Sequence, residues 1–287
     1  MENQKGKQKQ ILITKSSGHE EYFSTEKLIR SLHNAGAEDE TIEHIVADVE
    51  HWIFPGVTTK KIYARAHSML RKMESHSFRY RLKQSIYELG PTGYPFEFLV
   101  GEIYKRQGWE VEVGQVLQGA SITHEMDVIA TKDKEQCLIE CKYHKDQGKQ
   151  VSIQVPLYVR ARVNDIIEYR ETQQAYSGLN FVAGVATNTR FSDDSTNYSK
   201  HAGIKILSWD YPKGNGLKDL VEKYRIYPIT ILKDLTLKDK QHLLNNKVVL
   251  CYQLCNDHSI LSELGLSQAK SKAVLEELEQ ICEAYNR

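Results

Sequence analysis

Met126-Asp127-Val128-Ile129-Ala130, a polar interval, and then Cys137-Leu138-Ile139-Glu140-Cys141-Lys142 form the stretch on which the fold turns. Two apolar runs carry three charged residues, Asp127, Glu140 and Lys142. Glu140 and Lys142 are two apart, so on a strand they point to the same face. Lys132-Asp133-Lys134-Glu135 between the runs suits a hairpin turn, which would lay the runs side by side. Such a ribbon brings together two carboxylates and one ammonium group. That set can hold a divalent metal and position a water molecule for phosphodiester hydrolysis. The same charges also fit a plain surface hairpin, because Asp followed at a distance by Glu-x-Lys arises often by chance.

On the N-terminal side of this hairpin, Phe96, Leu99, Val100, Ile103 and Tyr104 recur at the spacing of an amphipathic helix. Gly108 stops it, and Trp109 to Val113 alternates as a strand. On the C-terminal side, Val151 to Tyr169 suits a helix interrupted near Pro156. Leu179 to Ala186 reads as a buried strand, Ser192 to His201 as a short helix ended by Gly203, and Ile204 to Trp209 as a further strand. The order α-β-β-β-α-β-α-β suits an α/β core, one mixed sheet with flanking helices.

The Asp127 and Glu140-Cys141-Lys142 pattern resembles the PD-(D/E)xK nuclease superfamily, and residues 95–212 resemble its Mrr-type restriction endonucleases. Four features match in order. Phe96-Glu97 opens a helix ending at Gly108-Trp109. Asp127-Val128-Ile129-Ala130 and Ile139-Glu140-Cys141-Lys142 follow. The last is Ala186-Thr187-Asn188 through Phe191-Ser192 to Gly203-Ile204-Lys205-Ile206-Leu207, read as a β-α-β unit distant from the active site. The resemblance implies a Mg²⁺-dependent endodeoxyribonuclease with Asp127 and Glu140 as metal ligands. Lys142 would orient the attacking water, lower its pKa or stabilise charge on the phosphate. Glu97 would assist the metal site. Gln154 is a further polar candidate, and His124, Tyr143 and His144 flank the site.

Upstream, Ile11 to Phe23 reads as two β-prone runs around a Ser16-Ser17-Gly18 turn, after a Lys- and Gln-rich segment, 1–10, expected to be a disordered leader. Four helices follow: Thr25 to Ala35 ended by Gly36, Glu38 to Trp52, one capped by Thr58 or Thr59, and Ser75 to Leu89. Gly90-Pro91-Thr92-Gly93 is a breaker, taken as the domain boundary. Ile13-Thr14-Lys15-Ser16-Ser17-Gly18 with Glu21, Phe23, Lys27 and Leu28 resembles the ATP-cone, a β-hairpin plus four-helix regulatory domain, over about residues 11–94. The resemblance implies ATP or dATP as regulatory ligand, with Lys15, Glu21, Ser24, Lys27 and Thr59 in contact with nucleotide. Ser16 stands where the family has Arg, and Tyr63 where reductases often have His.

From 213 to 287 the chain changes to a small helical domain. Leu261 to Cys282 forms two helices around Leu264-Gly265-Leu266-Ser267, loosely similar to a helix-hairpin-helix, with Lys270 and Lys272 placed for phosphate. A plain packing or dimerisation module suits it equally. Five cysteines argue against a disulfide framework, and the Cys137/Cys141 and Cys251/Cys255 spacings suit strand core better than zinc for the first pair.

The 287 residues carry a formal net charge of zero, so nucleic-acid binding would need a local basic patch. No run approaches membrane-spanning length and no signal peptide is evident, so a cytoplasmic location is expected. No Walker A loop, nucleophile elbow or His-Glu-x-x-His is present, which disfavours motor ATPases, α/β-hydrolases and metalloproteases. The expectation is a restriction or defence endonuclease regulated by ATP or dATP, partnered by DNA and a nucleotide and forming a homo-oligomer. A repair or processing nuclease, or a non-cleaving nucleotide-responsive DNA-binding regulator, is the alternative.

Overall fold

The computed structural model describes residues 11–15, 19–35, 37, 39–73, 78–146 and 148–285. The chain divides into two compact units between Arg81 and Leu82. The first opens on an antiparallel pair, β1 (Leu12–Thr14) and β2 (Glu20–Tyr22), with Ile13 opposite Glu21. The Ser16-Ser17-Gly18 turn, Gly36, Glu38, Ser75 and the leader 1–10 lie outside the described residues.

Three helices follow: α1 (Thr25–Ala35), α2 (Asp39–Trp52) and α3 (Thr59–Met73). Ser24 Oγ accepts from the Lys27 amide at 3.2 Å and Thr58 Oγ1 from the Lys61 amide at 3.3 Å. Each hydroxyl satisfies a backbone donor that the helix itself leaves open. Leu28, Leu32, Ile45, Val49, Ile62 and Leu70 form the core of this unit, with Tyr63 packed against it. A Thr14–Thr58 bridge sets the start of α3 beside the end of β1.

Helix α4 (Phe78–Tyr87) crosses the division, which therefore precedes the breaker at Gly90–Gly93. The later half of α4 packs in the second unit. Thr230 Oγ1 donates to the Ser85 carbonyl at 2.6 Å, and the Tyr143 hydroxyl to the Tyr87 carbonyl at 2.6 Å. A breaker marks where a helix stops, whereas packing decides which core it joins.

The second unit holds α5 (Tyr94–Arg106), β3 (Glu110–Gln118), β4 (Thr123–Lys132), β5 (Glu135–Lys142), β6 (Gln150–Val151), α6 (Gln154–Glu171), β7 (Asn180–Thr187), β8 (Arg190–Phe191), α7 (Asp193–Ala202) and β9 (Lys205–Leu207). The main sheet has the order β3-β4-β5-β7-β9. β3, β4 and β5 are antiparallel neighbours, and β7 and β9 continue in parallel from β5. This is the expected mixed sheet with flanking helices. Central β5 is buried along nearly its whole length, which explains its unbroken apolar run. The β4–β5 turn is tight: Lys132 pairs with Glu135, and Asp133 takes a left-handed φ of 53°, which Asp tolerates better than most residues.

Val159, Val163 and Ile166 of α6 pack on Met126, Ile129, Leu138, Val185 and Ile206. The helix is continuous. Pro156 falls in its first turn, where a missing amide costs nothing, so the expected interruption does not occur. α5 lies close on β3: a Cβ at Gly101 would meet Val113 Cγ2 at 3.0 Å and Val111 Cγ1 at 3.3 Å.

The C-terminal residues belong to the same compact unit rather than standing apart. They form α8 (Leu217–Tyr224), α9 (Leu237–Asn245), α10 (Cys251–Asn256), a 3₁₀ turn (His258–Leu264) and α11 (Gln268–Tyr285). A 3₁₀ limb thus replaces the first of the two helices expected around Gly265. Lys270 is tied to Asp239 and Lys272 to Glu276. Cys255 and Cys282 are joined by a disulfide between α10 and α11, against the expectation from the odd count. Parity could not show that two of five would meet. Cys137, Cys141 and Cys251 are free and buried. Among the described residues no helix is long and apolar enough to cross a membrane.

Candidate active site

The β4–β5 ladder runs from Lys132–Glu135 to Val128–Ile139 and stops there. Beyond that point each strand stays with its other neighbour, β4 with β3 as far as Thr123 and β5 with β7 as far as Lys142. The two strands part at Asp127 and Glu140. A side chain replaces the missing ladder bond: the Cys141 amide donates to Asp127 Oδ2 at 2.6 Å.

Glu140 is 6% exposed and held on both oxygens. Lys142 Nζ lies 2.6 Å from Oε1, and Arg162 Nη1 lies 2.5 Å from Oε2. The alternation of β5 places Glu140 and Lys142 together as expected. Arg162 comes from α6 and was absent from the sequence reading. Its signal was present: it sits among Val159, Val163 and Ile166 as a charge within a core-facing helical stripe.

Glu97 is an acid in the first turn of α5 and folds back over Gly93, where a Cβ would meet its Oε1 at 2.6 Å. Burial, then the negative charges of Asp127, Glu125 and Glu140, push its carboxyl up to about 7. Asp127 is raised to about 6, by burial first and Glu140 second, against the Cys141 amide, Lys142 and Arg162. Glu97, Asp127, Glu140 and Lys142 therefore lie close enough to feel one another's charge. Crowded, partly buried carboxylates are what a divalent cation relieves, and an all-oxygen donor set suits Mg²⁺ or Mn²⁺. Among the described residues no three His, Cys, Asp or Glu side chains close a metal cage. Two carboxylates completed by phosphate and water are nonetheless enough for Mg²⁺.

The segment after β5 is tied down by the β-α-β unit that the sequence placed far away. Thr187 Oγ1 donates to the Lys142 carbonyl at 2.7 Å. The Asn188 amide brackets His144, accepting from its N–H and donating to its carbonyl, both at 2.8 Å. Parallel pairing of β5 with β7 brings Thr187 beside Lys142, so this unit supports the site directly. The flanking residues are ties more than free surface. His124 Nε2 lies 2.7 Å from Asp165 Oδ2, and Tyr143 bonds the backbone of Tyr87 and Gly90. Gln154 is exposed at the first position of α6.

In the first unit, Lys15 Nζ and Lys27 Nζ each lie 2.9 Å from Glu21 Oε2. The two lysines hold the Glu21 carboxyl below its usual range, Lys27 more than Lys15. Ser24 is engaged as the cap of α1. Thr59 opens α3, next to the Thr58 that bridges to Thr14.

Residues 89–212, which carry the mixed sheet, match the restriction endonuclease family model, so this part of the chain is similar to restriction-endonuclease-type domains. Residues 227–282 match a second model, described as AF1548-like, C-terminal. The chain belongs to the family of an Archaeoglobus fulgidus protein described only as uncharacterized, being 30% identical to it over 184 residues, 63% of this chain and 99% of the relative. The crystal structure of AF1548, a protein of unknown function, is 28% identical and superposes with a TM-score of 0.54 over 66% of this chain and 98% of that one. MspJI restriction endonuclease, solved with a 27-mer oligonucleotide, overlaps 61% of this chain and 36% of its own at 14% identity and a TM-score of 0.34, a likeness too loose to carry weight.

Proposed function

We propose that the protein is a divalent-metal-dependent DNA endonuclease of restriction or defence type. The observation that carries this is the parting of β4 and β5 at Asp127 and Glu140, with Lys142 on Glu140, inside the restriction-endonuclease match. Asp127 and Glu140 would hold Mg²⁺, with Glu97 assisting directly or through water. The ion would neutralise charge developing on the scissile phosphate. Lys142 Nζ, half-exposed, is the donor that can turn from Glu140 to a phosphate oxygen or the attacking water. Glu97, at about 7, can hold or release a proton near neutrality.

The test compares wild type with Asp127→Ala and Lys142→Ala on modified and unmodified plasmid in Mg²⁺. Wild type should nick or linearise the DNA and both variants should fail. Equal cleavage by all three would remove the assignment. Cleavage confined to lesion-bearing DNA or to RNA would favour a repair or processing nuclease, and binding without cleavage a regulator.

A second proposal concerns the first unit. Glu21 set between Lys15 and Lys27, beside the start of α3, supports binding of ATP or dATP there and nucleotide control of cleavage. Lys15→Ala should weaken ATP binding in a calorimetric titration. An identical cleavage rate with and without ATP and dATP would remove the regulatory part.

A further inference from the structure

Arg162 spans the opening between the two strands that carry the site. Nη1 reaches Glu140 Oε2 on β5, and Nη2 donates to the Glu125 carbonyl on β4, two residues before Asp127. Its side chain is only 11% exposed. Its Nε is buried with no hydrogen-bond partner among the described residues, while Nη1 and Nη2 are both engaged across the opening. The ring of Tyr158, one helical turn earlier and 57% exposed, has its centre 5.2 Å from Arg162 Cζ, within cation–π range. The planar fork of a guanidinium can meet two acceptors in fixed directions at once, which the point charge of a lysine cannot.

We propose that Arg162 is a positioning residue that holds Glu140 across this opening and, by its charge, sets how tightly the carboxylates take up a divalent cation. The proposal rests on the cation-site reading above. A positive charge at hydrogen-bond distance from Glu140 repels an incoming cation, and burial keeps that repulsion strong. The same group fixes where Glu140 sits, and small misplacements in a reacting site are expensive. Charge and geometry therefore separate. Removing Arg162 tightens cation binding while slowing turnover, whereas simple loss of structure would weaken both.

The experiment titrates Mn²⁺ calorimetrically into the full-length protein without DNA, and measures plasmid cleavage by the same preparations at saturating Mn²⁺. Arg162→Ala should bind Mn²⁺ about tenfold more tightly and cleave about 100-fold more slowly. Arg162→Lys keeps the charge and loses the fork, so its Mn²⁺ affinity should stay near wild type while its turnover falls as far. If the alanine variant melts early by circular dichroism, Arg162→Gln replaces it with the same expectations. Unchanged or weaker Mn²⁺ binding by the charge-free variant, or wild-type turnover by Arg162→Lys, overturns the proposal. No Mn²⁺ binding by wild type would instead sink the cation-site reading itself.

Discussion

Two places in this protein share one arithmetic: a glutamate between two cations. Glu140 lies between Lys142 and Arg162, and Glu21 between Lys15 and Lys27. Burial separates them. Glu140 is 6% exposed and one of its partners comes from a neighbouring layer, whereas both lysines around Glu21 are roughly half exposed. In water a charged triad is weak and readily exchanged, which suits recognition of a soluble anion. Out of water the same triad is costly to break, which suits a fixed site. The count of charges thus says little until the dielectric around them is known.

The largest expected effect tests the buried triad as chemistry. Lys142→Ala should lower cleavage by about 10²–10³-fold, while fluorescence anisotropy shows a salt-dependent DNA affinity close to wild type. Parallel loss of binding and cutting would break the view of Lys142 as a reacting group. Next, Glu140→Ala leaves Arg162 buried without its carboxylate, and should cost about 3–5 kcal/mol in urea unfolding. A smaller effect comes from a third carboxylate of intermediate burial. His124 first, then Ser121, hold Asp165 down at about 2. Its folded value lies below the unfolded one, so its stabilisation is present above about pH 4 and is lost as pH falls toward the folded value. Unfolding midpoints across that acid range should drop more steeply for wild type than for Asp165→Asn. Least of all, Glu21→Gln should leave the melting temperature unchanged. A clear destabilisation would mean that the exposed triad is structural after all.

The ribbon was legible because a period of two and a tight polar turn leave little choice of register, and Asp127, Glu140 and Lys142 came with it. Helices α1 to α3 and α5 were legible from their caps and stripes. Arg162 was harder, because a charge in an apolar stripe looks like an interruption until its partner on another element is known. Thr187 and Asn188 were misjudged for a related reason. Sequence distance from Lys142 is 45 and 46 residues, yet parallel pairing abolishes it. Pro156 looks like a break in the sequence because its place in the first turn depends on where α6 starts. The Cys255–Cys282 link joins elements whose meeting no local pattern announces.

Gly101 bears on the site without touching it. It stands one helical turn beyond Glu97, where α5 presses on Val111 and Val113. A methyl group there would require those two valine side chains to give by a few tenths of an ångström, or the helix to shift by as much. The close seating of α5, the helix that carries Glu97, on β3 thus relies on the absence of one carbon atom. A larger residue at position 101 would bear on that seating through the helix backbone, with every charged residue unchanged.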